Sequence, residues 1–357
     1  MRCKRCINDE TVRGITFDRD GVCNFCRTYE KREEALSDYP RLHKLFQERV
    51  DRVRGKHRYD AAVGLSGGKD SVYVLDELVK RYGMKVCTFT LDNGFLTDAA
   101  RENIDQIVRS YGVDHEYVPF DKTIQKRQYH YSMTHFLVPC IACSYTGYAA
   151  MINYAVKKDA GMCVHGRSPE QMLRRYGYDV FTKFVDLALK PVDEVDLAES
   201  YGGLLESVRE KLDEGIYNDI KAIAFDGEEE PEFREFVPYF LYHEYDEREV
   251  VRYLKEETGW APPEDYNHYD CAIHNATKYI YQCAEGRPHR LPEISVLIRT
   301  GLLTRKEGLE MLQNEEVLKR PKEELKELCS YAEVSQPMLF LKAAMYRKAT
   351  TKGSKKN

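Results

Sequence analysis

The sequence predicts an α/β protein built on a parallel sheet, with a four-cysteine ribbon at its N-terminus and a helical region at its C-terminus. Three observations predict it. Short apolar runs alternate with helical stretches of roughly 10–15 residues, the pattern of βαβ units. A glycine-serine turn joins the first apolar run to a helix. Two Cys-x-x-Cys pairs, Cys3 with Cys6 and Cys23 with Cys26, stand sixteen residues apart.

In chain order, residues 1–30 read as a loop-rich module, with polar turn residues (Asn8, Asp9, Asp18, Asp20, Gly21) between the two cysteine pairs. Residues 31–57 are charge-dense; after Pro40, the positions Leu42, Leu45, Phe46, Val50 and Val53 recur at helical spacing and predict a helical connector. The α/β pattern spans 58–271. YDAAVGL (59–65) predicts the first strand, SVYVLDELVKRYG a helix stopping at Gly83, and KVCTFTL (85–91) a second strand running into Asp92-Asn93-Gly94. A helix near Thr97–Tyr111, the strand HEYVPF (115–120), a helix from about Cys143 to Lys158 and the strand GMCVHG (161–166) continue it. Residues 180–225 predict a helical insertion, and the acidic run 227–235 a solvated loop. FVPYFL and a helix starting at Asp246, with Glu249 placed to cap it, complete the unit. Residues 272–346 are helical in pattern, and the basic tail 347–357 is expected to be disordered.

Charge is nearly balanced over the 357 residues, 54 Lys+Arg against 59 Asp+Glu, for a formal net charge of -5. This excludes a globally basic nucleic-acid coat, so any contact with RNA or DNA falls to local patches at Lys4 and Arg5, 41–58 and 347–356. No stretch approaches about 18 uninterrupted apolar residues and the first residues lack a secretory apolar region, so a soluble cytoplasmic protein without a membrane is expected. In a reducing compartment, eleven cysteines point to metal, cluster or redox chemistry rather than disulfides. Cys87, Cys163, Cys283 and Cys329 stand alone in apolar surroundings and read as small hydrophobes.

Ser66-Gly67-Gly68-Lys69-Asp70-Ser71 lies between a predicted strand and a predicted helix. Adjacent glycines let backbone N–H groups approach an anion, the helix N-terminus adds partial positive charge, and Ser66 and Ser71 can donate hydroxyls. Lys69 can neutralise phosphate charge and Asp70 can hold Mg2+. This is a phosphate cradle distinct from the GxxxxGK[ST] loop. The two N-terminal cysteine pairs have the spacing of a four-thiolate site, with zinc ahead of a rubredoxin-like iron.

The hexamer resembles the SGGxDS signature of the PP-loop ATP pyrophosphatases. The resemblance implies a Rossmann-like, adenine nucleotide alpha hydrolase-like core. It also implies ATP cleavage between the α and β phosphates, attack of an acceptor oxygen on the α-phosphorus to give an adenylate, and displacement of AMP by a nucleophile. Asp92-Asn93-Gly94 and Gly166-Arg167-Ser168 fall where that family contacts the nucleotide.

A second cysteine group bears on which nucleophile is expected. Cys140 and Cys143 precede a predicted helix, and Cys271 follows the last helix of the α/β unit. Loops at the carboxyl ends of parallel strands converge over one crevice, so the three can meet beside the nucleotide. The arrangement is similar to the tRNA 2-thiouridine and 2-thiocytidine synthetases, and this resemblance implies a [4Fe-4S] cluster on Cys140, Cys143 and Cys271. A persulfide and disulfide relay between Cys140 and Cys143, or three buried thiols, stay open. The stretches MRCKRCINDETVRGITFDRDGVCNFC and EISVLIRTGLLTRKEGLEML resemble instead the N-acetyl sugar amidotransferases, which deliver ammonia from a partner glutaminase. The cysteines favour an ATP-dependent sulfurtransferase, with amidation as the alternative.

The acceptor, a small molecule or sugar on one side and tRNA on the other, stays open, as does the sulfur donor or glutaminase partner protein. A nucleotide-sensing module and a sulfonucleotide reductase or sulfurylase are the remaining alternatives; the intact hexamer opposes the first, the ribbon and C-terminal helices the second. Gln125–His135, with Tyr129, His130, Tyr131 and His135, could line an acceptor pocket, His274 could tune a cluster, and Arg174 and Arg175 could meet an anionic acceptor. The C-terminal helices are expected to close over the site or to pair in a homodimer.

Overall fold

The computed structural model describes residues 1–12, 14–30, 36–169, 171–172, 178–197, 205, 208–226, 232–261, 270–288, 290–314 and 319–353. The chain divides into two compact units. One, the sheet unit, comprises Asp38–Gln125 and Ala142–Ala272; the other, the ribbon unit, comprises Met1–Ser37, Lys126–Ile141 and Ile273–Asn357. Among the described residues no helix is long and apolar enough to cross a membrane.

The sheet unit holds five parallel strands in the order β3-β2-β1-β4-β5: β1 Tyr59–Gly64, β2 Val86–Asp92, β3 Asp114–Pro119, β4 Ala160–His165 and β5 Glu235–Pro238. Strand β1 is central and covered on both faces, which is why it reads as an unbroken apolar run rather than an alternating one. Ala62 pairs with Cys87 on one side and Cys163 on the other. Both cysteines are fully buried and desolvation pushes their thiols upward, Cys87 to about 12, so they serve as inert core residues. Cys329 is also buried, whereas Cys283 is half-exposed.

The helices are α1 Asn24–Glu30, α2 Tyr39–Val53, α3 Lys69–Asp76, α4 Asp98–Tyr111, α5 Lys122–Phe136, α6 Cys140–Lys157, α7 Tyr178–Ala188, α8 Glu214–Phe225, α9 Glu247–Glu257, α10 His274–Glu285, α11 Leu291–Arg299, α12 Arg305–Asn314, α13 Lys322–Tyr331 and α14 Gln336–Gly353. Their ends follow local chemistry. Thr97 caps α4 by accepting from the Ala100 N–H, and Gly112 ends it in the left-handed conformation. Asp246 caps α9 through the Arg248 N–H, so Asp246 rather than Glu249 does the capping. Helix α3 passes into one wider π-helical turn, Glu77–Arg81, where a single continuous helix is expected from the sequence. Within the helical region 272–346, α11 and α12 are separate helices, parted where Gly301 adopts a φ of 79°. Helix α14 reaches Gly353 and takes in most of the tail expected to be disordered. Its alanines are strong helix formers, and lysines near a helix C-terminus complement the macrodipole.

In the ribbon unit the cysteine module does not stand alone. Ile7 and Val12 form one core with Leu291, Ile294 and Leu312, and Ile15, Phe25, Ile298, Leu303, Leu309 and Met311 pack against it. The apolar residues of the first thirty positions are thus completed by helices α11 and α12.

Candidate functional site

In the order β3-β2-β1-β4-β5 the chain leaves β1 toward one edge and returns at β4 toward the other, which opens a crevice between the carboxyl ends of β1 and β4. The Ser66–Ser71 turn follows β1 there. Gly67, at φ 75°, lies so close to α4 that a methyl group on it would stand 2.5 Å from the Ala100 carbonyl oxygen, and its own carbonyl accepts the Trp260 indole N–H at 3.0 Å. Ser71 ties the turn: its hydroxyl accepts from the Ser66 N–H at 3.2 Å and donates to the Gly68 carbonyl at 3.0 Å. Gly68 then opens α3, whose first N–H groups have no intrahelical acceptor. From β4, Gly166 rests on that same first turn, with no room for a side chain. The result is a tight glycine turn at a helix N-terminus, a setting whose positive end suits an anionic phosphate chain.

Charge around the turn is organised about Lys69. Its ammonium lies 3.0 Å from both Asp70 oxygens and 3.5 Å from Glu247 Oε1. Burial disfavours its charged form, but Asp70 and Glu247 more than offset this and hold it above the ordinary lysine range. The Asp70 carboxylate also accepts from the Tyr245 hydroxyl at 2.7 Å and the Gln171 amide at 3.1 Å. Desolvation pushes the nearby Asp270 carboxyl upward, against the opposing pull of Arg167 and Lys69. Arg167 donates to the Ser144 hydroxyl of α6 at 2.8 Å, and its backbone N–H donates to His165 Nδ1 at 3.2 Å. His165 is buried and therefore neutral, with its basicity lowered to about 3 by desolvation and by Arg167.

The loop after β2 is the next wall. Asp92 accepts from the Gly94 N–H and from Arg101, each at 3.0 Å. Partial burial works against its ionisation, yet these two donors keep the carboxyl below its usual value. Asp92 thus shapes its own turn. The neighbouring Asn93 amide donates to Cys143 Sγ at 3.9 Å, and the Phe95 carbonyl accepts from the N–H of Ala272, the residue after Cys271, at 2.8 Å. One loop therefore touches Cys143 and the chain beside Cys271. Cys140 and Cys143 occupy the first turn of α6; the division between the units falls after Ile141, so Cys140 belongs to the ribbon unit. Cys140, Cys143 and Cys271 are all half-buried.

The ribbon unit carries the one group of three or more potential ligands at single-ion spacing among the described residues: Cys3, Cys6, Cys23 and Cys26, with sulfurs all within 4.8 Å of one another and all four residues buried. The Cys3–Cys26 and Cys6–Cys23 sulfur separations are both 3.8 Å. Tetrahedral zinc with Zn–S bonds of about 2.3 Å spaces its sulfurs by about 3.8 Å, so the residues fit the ion. Backbone N–H groups aim at the sulfurs, Asn8 at Cys6 (3.4 Å) and Cys23 at Cys3 (3.3 Å). Hydrogen bonds from the Cys23 and Cys26 thiols hold Cys6 far below the ordinary thiol range, and the same sulfur contacts push Cys23 far above it. Four buried sulfurs this close can all ionise only around a cation.

Other residues singled out in the sequence have bland settings. His130 is exposed and paired through Nδ1 with the Ala332 carbonyl, and His135 with the Tyr131 carbonyl, each at 3.0 Å. His274 opens α10 in the ribbon unit. Arg174 and Arg175 lie outside the described residues. Conversely, Gln171, Tyr245, Glu247 and Trp260 brace the Ser66–Ser71 turn without a sequence motif to mark them.

No family model matches the chain. An uncharacterised protein of Methanocaldococcus jannaschii is 25% identical over 120 residues, 32% of this chain and 41% of that protein, so the chain spans less than half the length of the curated relative it matches. Among solved structures, the chain is similar to the U34-tRNA thiolase NcsA from Methanococcus maripaludis with its [4Fe-4S] cluster, at 14% identity and a TM-score of 0.36 over 89% of this chain and 90% of that one. It is also similar to an NH3-dependent NAD synthetase from Campylobacter jejuni, at 15% identity and a TM-score of 0.31 over 54% of this chain and 99% of that one. At this distance, the chemistry of the site has to come from its own side chains.

Proposed function

We propose that this chain is an ATP-dependent enzyme of the PP-loop kind, which activates an acceptor oxygen as its adenylate and replaces that oxygen with sulfur. The observation that carries the reading is the Ser66–Ser71 turn itself, a glycine turn at the switch point of a parallel sheet with Gly166 seated on its first helical turn. The turn's N–H groups and Lys69 bind the pyrophosphate portion of ATP, and Asp70, oriented by Tyr245 and Gln171, faces Mg2+. The acceptor oxygen attacks the α-phosphorus and pyrophosphate leaves. Hydrosulfide then adds to the activated carbon and loses its proton, and AMP departs with the original oxygen.

Sulfur is favoured because the Asp92–Phe95 loop carries Cys143 on one side and the chain beside Cys271 on the other. Three half-buried cysteines are the donor set of a cluster, which spreads its ligands wider than a lone ion; Cys140, Cys143 and Cys271 would hold a [4Fe-4S] cluster, which supplies an open iron for hydrosulfide. Cys3, Cys6, Cys23 and Cys26 would hold zinc. The second reading, amidation with ammonia from a partner glutaminase, rests on the resemblance of the stretches MRCKRCINDETVRGITFDRDGVCNFC and EISVLIRTGLLTRKEGLEML to the N-acetyl sugar amidotransferases.

Turnover of ATP labelled at the α-phosphate tests the first half: equimolar AMP and pyrophosphate are expected, abolished in Lys69→Ala and Asp70→Ala, and formation of ADP refutes the reading. Anaerobic purification with iron, sulfide and zinc analysis tests the second half. Iron near four per chain, with Cys143→Ala and Cys271→Ala keeping adenylation but losing sulfur incorporation, supports thiolation. Zinc alone, with AMP release driven by ammonium, selects amidation and a glutaminase partner. Offering tRNA and amino sugars in turn identifies the acceptor.

A further inference from the structure

Arg299, the last residue of α11, is only 5% exposed, yet among the described residues it makes no hydrogen bond or ion pair, and its Nη1 is a buried donor with no acceptor. A buried guanidinium without a counter-charge is strongly unfavourable. The positive charge of Arg299 favours the thiolate forms of Cys6 and Cys26. Ile298, next to it, packs directly on the four cysteines, which brings α11 against the site. A second guanidinium approaches from α12: Arg305 donates to the carbonyls of Cys6 and Cys3, both at 3.2 Å.

We propose that Arg299 is the buried counter-charge of a four-thiolate metal site at Cys3, Cys6, Cys23 and Cys26, and that with Arg305 it makes the site selective for a divalent thiophilic ion. The proposal rests on reading the four cysteines as a metal site. Four thiolates around a divalent ion leave two negative charges, and two guanidinium groups balance them. Around ferric iron the thiolates leave one negative charge, and the same two cations overcompensate it. The bond between ribbon and helices is then electrostatic as well as apolar: metal, knuckles and α11–α12 form one charge-neutral assembly. Arg299 is a positioning residue toward the ion, not a ligand.

The test uses the full chain loaded with zinc, titrated with a chromophoric chelator, and loaded separately with cobalt(II) so that the thiolate charge-transfer band reports four-sulfur coordination. Arg299→Met keeps the apolar stem and removes the charge; zinc affinity is expected to fall about 10–100-fold, the usual effect of losing a partner beyond the ligands. Arg299→Lys should restore most of it. Failure of the wild-type chain to bind zinc or cobalt would sink the metal-site reading and the proposal together. Metal binding by the wild type with unchanged affinity in Arg299→Met, even at a lowered melting temperature, overturns the proposal alone and makes Arg299 a packing residue. So does an equal loss in Arg299→Lys, since shape rather than charge would then matter. If Arg299→Met does not fold, Arg299→Lys against Arg299→Gln decides by the same criterion.

Discussion

Replacing Gly166 by alanine probes the phosphate turn at its tightest point. A methyl group there would lie 2.7 Å from the Asp70 carbonyl oxygen, 2.9 Å from its carbon and 3.2 Å from the Ser71 nitrogen, where ordinary contact begins near 3.4 Å. All three obstacles are backbone, so no side chain can rotate away. Either the loop after β4 or the first turn of α3 has to retreat by about 0.7 Å, taking Arg167 or Lys69 and Asp70 with it. Overpacking of this kind costs about 1–3 kcal/mol of stability. Misplacing reacting groups by about 1 Å costs about 100-fold in rate, so pyrophosphate release is expected to fall about 10- to 100-fold while the chain stays folded. Gly147→Ala in α6 is the control, because its added methyl meets nothing nearer than Leu91 Cδ2 at 4.0 Å. The assay is ATP-dependent pyrophosphate release beside thermal melting of each variant. Wild-type turnover in Gly166→Ala would show that this contact is not part of the nucleotide site.

Arg49→Met should lower stability by up to about 3–5 kcal/mol, read as a lower urea midpoint, because it leaves the buried Glu235, which Arg49 Nε binds at 2.7 Å, to Arg52 alone and frees the Leu45, Leu187 and Lys190 carbonyls. An unchanged midpoint would mean that Arg52, which also pairs with Glu235, suffices alone. Acid should destabilise the sheet unit through His165 and His243, both buried and both lowered to about 3 chiefly by desolvation. The unfolded chain binds their protons near the ordinary value of about 6.5, so stability is full above that pH and is lost as pH falls from about 6.5 toward 3, by about 2 kcal/mol for each histidine at pH 5. His243→Gln, which can still meet the Tyr82 hydroxyl, should flatten the slope, and an identical slope in the variant would remove His243 from this account. Stripping metal with a mercurial reagent and chelator should expose α11 and α12 to protease, since they share a core with Ile7 and Val12; cleavage confined to the first thirty residues would show the ribbon to be an independent appendage.

The sheet was legible because its strands are short and covered. β1 and β4 have both faces packed, so Ala61, Ala62, Val63 and Met162, Cys163, Val164 form runs that any hydropathy reading finds. Helix α5 was not read, and the cause is specific. Its buried positions are Gln125, Gln128, Tyr129, Ser132 and Met133, a regular i, i+3, i+4, i+7, i+8 face composed largely of polar side chains. The period is there, but hydropathy does not display it. The ribbon misled in the opposite way: its few apolar residues looked insufficient for a core because their partners, Leu291, Ile294 and Leu312, lie nearly three hundred positions away.

The site divides along the same line. The Ser66–Ser71 turn is local: two glycines, two serines and the strand and helix around them all fall within one window, so its place between β1 and α3 was readable from the letters. Its bracing is not local. Tyr245, Gln171 and Trp260 reach Asp70 and Gly67 across 101 to 193 positions, and nothing in their own neighbourhoods sets them apart from ordinary surface or core residues.

The cysteines show why spacing alone stops short of chemistry. Cys3-x-x-Cys6 and Cys140-x-x-Cys143 are the same pattern in different backbones. In the first, the chain turns, and freed N–H groups such as those of Asn8 and Cys23 point at sulfur, which stabilises thiolates around an ion. In the second, both residues sit in the opening turn of an eighteen-residue helix, where the backbone runs straight past the sulfurs and does not wrap them. A turn favours a closed tetrahedral site, and a helix start favours an accessible, reactive sulfur. The same four-residue spacing therefore sits in two different backbones, a turn at Cys3–Cys6 and a helix start at Cys140–Cys143.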